Sequence, residues 1–167
     1  MTDDELHKRL IDWIATVINV TVIASHQGGD LPALPYVECN LLGSEEVFRH
    51  ENDVAYNPPE VGAVGLVTAT PDIEREYHFS LHAFALVQPT DVLRPLASAH
   101  RVLHGQLPDL VGAVIHDMGR IRSVPDFINE KWRPRAQADL YVRALTRDGF
   151  IVDVIDAIEP FQIIREG

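Results

Sequence analysis

Eight histidines are the side chains of this 167-residue chain with the most evident capacity for chemistry. His100 and His104 are four residues apart in a predicted helix, so both imidazoles would share one face, and a small metal-dependent enzyme is one hypothesis. The pair lacks the adjacent glutamate of a zinc protease, and its spacing indicates no third ligand. His78 and His82 have the same spacing on a predicted strand, where about 13 Å separates them. We therefore favour a solvated helix face and predict no metal site and no cofactor.

Nucleophilic chemistry has no recognisable motif in the sequence. There is neither a Gly-x-Ser-x-Gly elbow nor a Gly-Lys-Ser/Thr phosphate loop. Cys39 lies among alternating apolar residues, which favours a buried structural thiol over a nucleophile. Two groups of carboxylates match no calcium-binding loop, and we interpret them as solvated loop charge. These groups are Glu45 with Glu46, and Asp72 with Glu74 and Glu76. We therefore predict no catalytic residue and no enzyme.

An excess of carboxylates is the strongest signal in the composition. The chain has 25 aspartate and glutamate residues against 14 lysines and arginines, which gives a formal net charge of −11. Tight binding to nucleic acid is disfavoured, because it depends on neutralising phosphates with basic side chains. No apolar run approaches the roughly 18 residues of a membrane span, and the acidic start Met1–Glu5 is unlike a signal peptide. The length predicts one domain, covering residues 1–167.

The N-terminal third predicts a helix followed by two strands. Thr2 and Glu5 form a capping-box pattern, with Thr2 accepting from the third helical N–H group and Glu5 reaching back. Apolar residues then recur at spacings of three and four, which is typical of an amphipathic helix. This stripe comprises Leu6, Leu10, Trp13, Ile14, Val17 and Ile18. We expect strands at Val20–Ala24 and Tyr36–Leu42.

The middle of the chain predicts a hairpin with an extended polar tip at about residues 44–75. Its strands would be Val47–Val54 and Ala63–Ala69, joined by a turn at Asn57–Gly62. A separate strand is expected at Glu76–Leu86, with Tyr77, Phe79, Leu81, Ala83 and Ala85 on one face.

The remaining sequence predicts two helices and several strands. The first helix would begin at Thr90 or Asp91, hold Pro95 in its first turn and end near His104. The expected elements after it are a helix at Pro108–Met118, strands at Ile121–Val124 and Arg135–Leu145, a turn at Arg147–Gly149 and one or two strands within Ile151–Ile164, with Pro160 at an edge or bend. The order predicts an α+β domain: an antiparallel or mixed sheet packed against an N-terminal helix and a central helical pair.

Trp132 stands beside Arg133 and Arg135 at the start of the last long strand. Tryptophan and arginine are enriched among the residues that dominate protein interfaces, which favours a protein contact. A position beneath the domain core is an equally good interpretation of Trp132, and the sequence leaves both open.

Taken together, these elements resemble the phage neck terminator or tail terminator (tail-completion) proteins. The similarity rests on the ordered set: an N-terminal helix, a short strand, a glycine-containing loop, and a strand introduced by Leu34-Pro35-Tyr36-Val37. A long alternating strand and a helical pair follow. The set ends with Pro134-Arg135-Ala136-x-Ala138-x-Leu140 and Ile155-Asp156-Ala157-Ile158-Glu159. It spans nearly the whole chain, although we claim no match for Ser44–Arg75.

The resemblance implies a structural virion protein without turnover or cofactor. Such proteins form a ring, typically of six copies, which caps the tail tube and joins it to the head-side connector or neck protein; in contractile tails the ring also engages the tail sheath. The expected location is the virion neck, with host cytoplasm during assembly. DNA would pass through the ring without specific binding, and no membrane is involved. Another head–tail joining protein is the nearest alternative, and a soluble ligand-binding or regulatory domain is a third.

Two sets of residues follow as expectations for such a ring. The interface set comprises Val47, Phe48, Tyr56, Trp132, Arg133, Arg135 and Pro160. The acidic set, expected to face the bore and repel passing DNA, comprises Glu45, Glu46, Glu51, Asp53, Asp72 and Glu74.

Overall fold

A computed structural model describes residues 1–25, 28, 30–47, 53–57, 66–103, 112–128, 130–148 and 150–153. Within these residues the chain forms two helices, α1 (Asp3–Ile18) and α2 (Pro89–Leu103). The strands are β1 (Thr21–Ala24), β2 (Tyr36–Glu46), β3 (Asp53–Asn57), β4 (Leu66–Phe84), β5 (Ala113–Met118), β6 (Arg122–Ser123), β7 (Asp126–Ile128), β8 (Lys131–Arg133), β9 (Arg135–Arg147) and β10 (Phe150–Asp153).

Helix α1 confirms the predicted cap and apolar stripe. The Glu5 backbone N–H donates to Thr2 Oγ1 at 3.2 Å, and Asn19 ends the helix in the left-handed region with φ 53°. The Glu5 carboxylate accepts from Arg9 at 2.6 Å, so it does not complete the capping box as predicted. One side of the helix is buried, through Leu6, Leu10, Ile14 and Ile18.

The main sheet has the order β1-β2-β4-β9-β5 and is mixed, as predicted for an α+β fold. Strands β1 and β2 are parallel, and the other pairs are antiparallel. Strand β6 extends the pairing along β9, while β7 and β8 form a separate two-stranded sheet.

Both helices pack against the same face of the main sheet. That face supplies the alternating buried residues of β4 and β9, so the predicted alternation from Tyr77 to Ala83 is confirmed. The Tyr77 hydroxyl donates to Asp3 Oδ1 at 2.9 Å, which places the start of α1 beside this residue. The opposite face, which we call the open face, carries mostly polar side chains and is covered by neither described helix.

Strand β4 is 19 residues long and extends beyond the part of the sheet that the helices cover. The predicted strand Ala63–Ala69, in its described part from Leu66, and the predicted strand Glu76–Leu86, as far as Phe84, therefore belong to one continuous strand. Its first part, Leu66–Asp72, pairs with β3 on one side and β10 on the other. We call these three paired segments the arm. Described side chains at positions 68–76 of β4 are only half-buried, so the apolar core ends near Tyr77.

Within the region predicted as a hairpin, β3 and β4 pair antiparallel, with strand boundaries that differ from those expected. Val47 still belongs to the β2 side, where its N–H donates to Glu74 O at 3.0 Å. Strand β3 begins only at Asp53. Asn57, the first residue of the predicted turn, ends β3, and residues 48–52 and 58–65, which include the rest of that turn, lie outside the described residues.

The predicted turn at Arg147–Gly149 does not reverse the chain, although Gly149 itself lies outside the described residues. Arg147 lies opposite Asp72, and Phe150 lies opposite Ala69, so three residues advance on each strand. Strand β10 therefore continues β9 along the same side of β4. Sheet register outweighs the local turn tendency of an Asp-Gly pair, because a slip would turn every side chain of the strand to the other face.

Two helix predictions are also corrected. Residues 113–118, predicted as the end of a third helix, form strand β5, because the edge of β9 offers their backbone groups hydrogen-bond partners. Helix α2 begins at Pro89, which makes Thr90 and Asp91 helical and places Pro95 in the helix interior. Residues 104–111 and 154–167, including His104 and Pro160, lie outside the described residues.

Candidate functional site

A ladder of ion pairs crosses the open face where β4 meets β9. Arg147 forms two hydrogen bonds with Asp72, one of them from Nη2 to Oδ2 at 2.9 Å. These bonds lower the pKa of the Asp72 carboxyl, since they favour its charged form. Arg143 Nε donates to Glu76 Oε2 at 3.0 Å and lies 3.9 Å from Glu74 Oε1 through Nη1. Arg143 and Arg147 therefore neutralise much of the negative charge of β4.

Strand pairing places the predicted acidic set in one region, at the arm end of the sheet. Glu45 is exposed and lies opposite Glu76, the adjacent Glu46 is half-buried, and Asp53 lies opposite Asp72. Glu51 lies outside the described residues. Its residues are far apart in sequence, and only the pairing of β2, β3 and β4 brings them together.

A polar network occupies the middle of the open face. His78 stacks on Tyr141 with ring centroids 4.6 Å apart, and its Nε2 lies 3.6 Å from Asp139 Oδ1. His82 Nε2 contacts Ser80 Oγ at 3.3 Å. Burial, followed by the nearby Arg135 charge, lowers the pKa of His82.

The histidine pair predicted as the less favoured metal site is only partly described. His100 is half-buried on α2, and His104 lies outside the described residues. Within the described part of the chain, no cluster of three or more histidine, cysteine or carboxylate side chains is able to hold a metal ion.

The small sheet formed by β7 and β8 presents two exposed aromatic rings, and we call it the aromatic hairpin. Phe127 is 60% exposed and Trp132 is 69% exposed, with ring centroids 5.1 Å apart. Burial of Trp132 beneath the core, one of the two open interpretations, is therefore wrong. Sequence reasoning missed Phe127, since its partnership with Trp132 depends on strand pairing across the hairpin.

Arginines attach the aromatic hairpin to the sheet. Arg133 Nη2 donates to the Tyr36 hydroxyl at 2.6 Å, and its guanidinium carbon lies 4.5 Å from the centroid of the Phe84 ring. Arg135 contacts Asp126 at 3.0 Å. Of the predicted interface residues, Arg133 and Arg135 thus make intramolecular contacts that hold Trp132 in place.

The arm exposes Tyr56, another residue of the predicted interface set. Tyr56 is 67% exposed and lies opposite Ala69, while the neighbouring Val54 lies opposite Pro71. Directly opposed residues share a face, so both project on the helix-covered side of the sheet, beyond the end of the core at Tyr77. Val47 is half-buried, and Phe48 and Pro160 lie outside the described residues.

An apolar groove lies at the other end of β4, where the chain enters α2. It has a volume of about 420 Å³ and is lined by Leu34, Pro35, Leu86, Val87 and Val92, among others. Leu86 and Val87 are 79% and 78% exposed. The groove was not predicted from the sequence, although the apolar pair Leu86–Val87 between a strand and a helix was a signal for it.

The aromatic hairpin, the arm and the groove each leave large apolar side chains exposed. Exposed apolar patches framed by polar residues mark interaction sites. Cys39 is fully buried, which raises the pKa of its thiol to about 12 and leaves it protonated at neutral pH. No helix in the described residues combines the length and apolar character required to cross a membrane.

Comparison with known protein families gives a match over nearly the whole chain. A family model described as phage neck terminator protein matches residues 4–167, nearly the full length of the chain. No curated protein matches the chain in sequence. The match includes α1, the mixed sheet, the arm and the aromatic hairpin. The chain therefore belongs to the phage neck terminator protein family.

Proposed function

We propose that this protein forms a homo-hexameric ring at the phage neck, where it ends the tail tube and joins it to the head-side connector. The observation that carries the proposal is the family match across residues 4–167. The neighbours of the ring are the tail tube protein and a connector or neck protein, with the tail sheath added in contractile tails. The protein acts in the virion and assembles in the host cytoplasm.

The distribution of exposed side chains supports an assembly role. Tyr56 on the arm, Trp132 on the aromatic hairpin, and the Leu86–Val87 groove are three separate surfaces that the subunit leaves uncovered. A ring subunit needs such surfaces for its two neighbours and for the layers above and below it. Tryptophan and tyrosine contribute strongly to binding when a partner excludes water from them.

The acidic charge suits a channel for DNA. Six copies carry about −66 in total (6 × −11), and carboxylates that face the bore repel a passing duplex. Glu45 is exposed, and among the described residues no ion pair involves it. Asp72 and Glu74 are less effective in this role, because Arg147 and Arg143 compensate them.

Cryo-electron microscopy of virions is the direct test of position and copy number. We expect six copies in one ring at the head–tail junction, between tube and connector. Density at the tail tip, or as part of the tube, would contradict the proposal. Density wholly within the head would instead favour a different head–tail joining protein.

Assembly without the protein provides a second test. We expect tails whose length is no longer controlled and heads that remain unattached, since the tube end would have no terminator. Stoichiometric zinc in the purified protein, lost in His100→Ala, would favour the metal-enzyme alternative.

The aromatic hairpin is proposed to contact an adjoining layer of the neck. Trp132→Ala should fold normally, because the side chain is exposed, yet reduce the yield of joined particles. Val102→Ala, which truncates a side chain that is also strongly exposed, is the matched control. Equal yields for the two variants would exclude the hairpin from assembly.

A further inference from the structure

Two uncovered apolar surfaces lie at opposite ends of β4. The arm presents Tyr56 and Val54 beside Leu66–Asp72, and the groove opens beside Phe84 through Leu86 and Val87. A strand advances about 3.3 Å per residue, so the 19 residues of β4 separate these ends by roughly 60 Å. The arm of one subunit is therefore unable to reach its own groove.

The shapes of the two surfaces are complementary. Tyr56 projects from a narrow three-stranded arm that has no helix upon it among the described residues. The groove is a concavity of about 420 Å³, lined mostly by apolar atoms. A phenol ring is suited to such a site, since its ring is apolar and its hydroxyl retains access to polar atoms at the rim, such as the carboxylate of Asp91.

Charge favours the same pairing. The arm end of the sheet carries six carboxylates against three guanidinium groups, so its described side chains have a net charge of −3. The carboxylates belong to Glu45, Glu46, Asp72, Glu74, Glu76 and Asp148, and the guanidinium groups to Arg75, Arg143 and Arg147. At the groove, Asp91 is paired with Arg94, and the guanidinium of Arg133, 4.5 Å from the centroid of the adjacent Phe84 ring, supplies a further positive charge. Opposite potentials across an interface increase the association rate and disfavour wrong pairings.

We propose that the arm of one copy docks into the groove of the next copy, with Tyr56 seated against Leu86 and Val87. This inference rests on the ring described under Proposed function and specifies its contact between subunits. The two surfaces are different, so the contact is heterologous, and repeated head to tail it closes into a ring when the rotation allows. Copies of this chain supply a partner for both surfaces of every subunit, with one neighbour at the arm and another at the groove.

Disulfide trapping between copies tests the pairing. The double variant Tyr56→Cys/Val87→Cys of the full chain is oxidised under conditions where sedimentation reports the oligomer, and then run on a denaturing gel. Head-to-tail docking predicts a ladder of linked chains that ends at the ring size. The native Cys39 does not interfere, because it is fully buried. Tyr56→Cys/Val102→Cys is the matched control, since Val87 and Val102 are 78% and 75% exposed.

Mixing the single variants sharpens the result. Tyr56→Cys mixed with Val87→Cys should give linked dimers and nothing longer, because each subunit then has one reactive end. If the oligomer forms but gives no ladder, or if the control variant gives an equal ladder, the arm–groove contact is wrong. The proposed ring is not contradicted by that result. If the unmodified chain stays monomeric at every concentration and is present as a single copy in the virion, both the arm–groove contact and the ring are wrong.

Discussion

At the scale of single residues, the chemically suggestive side chains serve the structure. Cys39 fills the core, and His82 joins a half-buried network with Ser80 and Gln137. Arg133 connects the aromatic hairpin to Tyr36. Sequence reasoning identified the burial of Cys39 from local alternation. The anchoring role of Arg133 was beyond it, because Tyr36 is 97 residues away in the chain.

The Cys39 thiol should resist modification in the folded protein. Burial raises its pKa from 9.0 to about 12, so almost no thiolate exists at pH 8. We expect a thiol-specific chromogenic reagent to react slowly with native protein and rapidly after denaturation in urea. Rapid native labelling would contradict the buried position.

The same pKa predicts how stability depends on pH. Above pH 9 the unfolded chain loses the Cys39 proton while the folded chain retains it, so this group makes folding less favourable as pH rises toward 12. Cys39→Ser should reduce that alkaline loss of stability. Urea titrations at pH 8 and pH 10 measure the difference.

At the scale of elements, those defined by local periodicity were predicted well, and those defined by strand pairing were not. The stripe of α1 and the alternation of β9 are visible within each segment, because a helix or strand repeats over neighbouring residues. Strand β5 and the continuity from β9 to β10 depend on partners elsewhere in the chain. The groove likewise forms only when the ends of β2, β4 and α2 meet.

Helix α1 should contribute strongly to stability through its buried side. Leu10 is fully buried against the sheet, so Leu10→Ala removes apolar contacts and leaves a cavity. We expect the free energy of unfolding to fall by about 2–5 kcal/mol, as measured by urea denaturation. Lys8→Ala on the exposed side should change it by less than about 0.5 kcal/mol.

Helix α2 contains an interior proline that weakens it. Pro95 has no N–H group to donate to the Asp91 carbonyl four residues earlier, and it is exposed. Pro95→Ala should therefore raise the free energy of unfolding, by about 1–3 kcal/mol. Ser98→Ala, at another exposed position of α2, is the control for helix propensity alone. A loss of stability in Pro95→Ala would show that the pyrrolidine ring of Pro95 stabilises a local backbone conformation that alanine does not maintain.

At the scale of the whole molecule, charge and shape assign different tasks to different regions. The helix-covered face supplies the core, and the open face is largely compensated by its ion-pair ladder. The arm, the aromatic hairpin and the groove keep large apolar side chains exposed, and these are the surfaces that we propose for partners. The weak patterning near residues 44–75 predicted an extended hairpin. The arm also contains β10, which pairs with β4 and comes from a distant part of the chain.

The proposed bore predicts a charge effect on DNA passage. Glu45→Lys adds about +12 to each ring (6 × +2), which would attract the duplex and slow genome ejection. Asp12→Lys, an equal change at an exposed position on α1, should leave ejection unaffected. Ejection kinetics of the two phages, followed by dye binding to released DNA, provide the measurement. Unchanged kinetics with Glu45→Lys would remove Glu45 from the bore.

The unbroken register of β4 with β9 and then β10 has a mechanical consequence. A pull on the arm along the strand direction acts on both sets of interstrand hydrogen bonds together, in shear, so they must fail nearly at once. Peeling them one after another requires a force across the strands. A subunit built this way would transfer tension applied to its arm into the main sheet with little elongation.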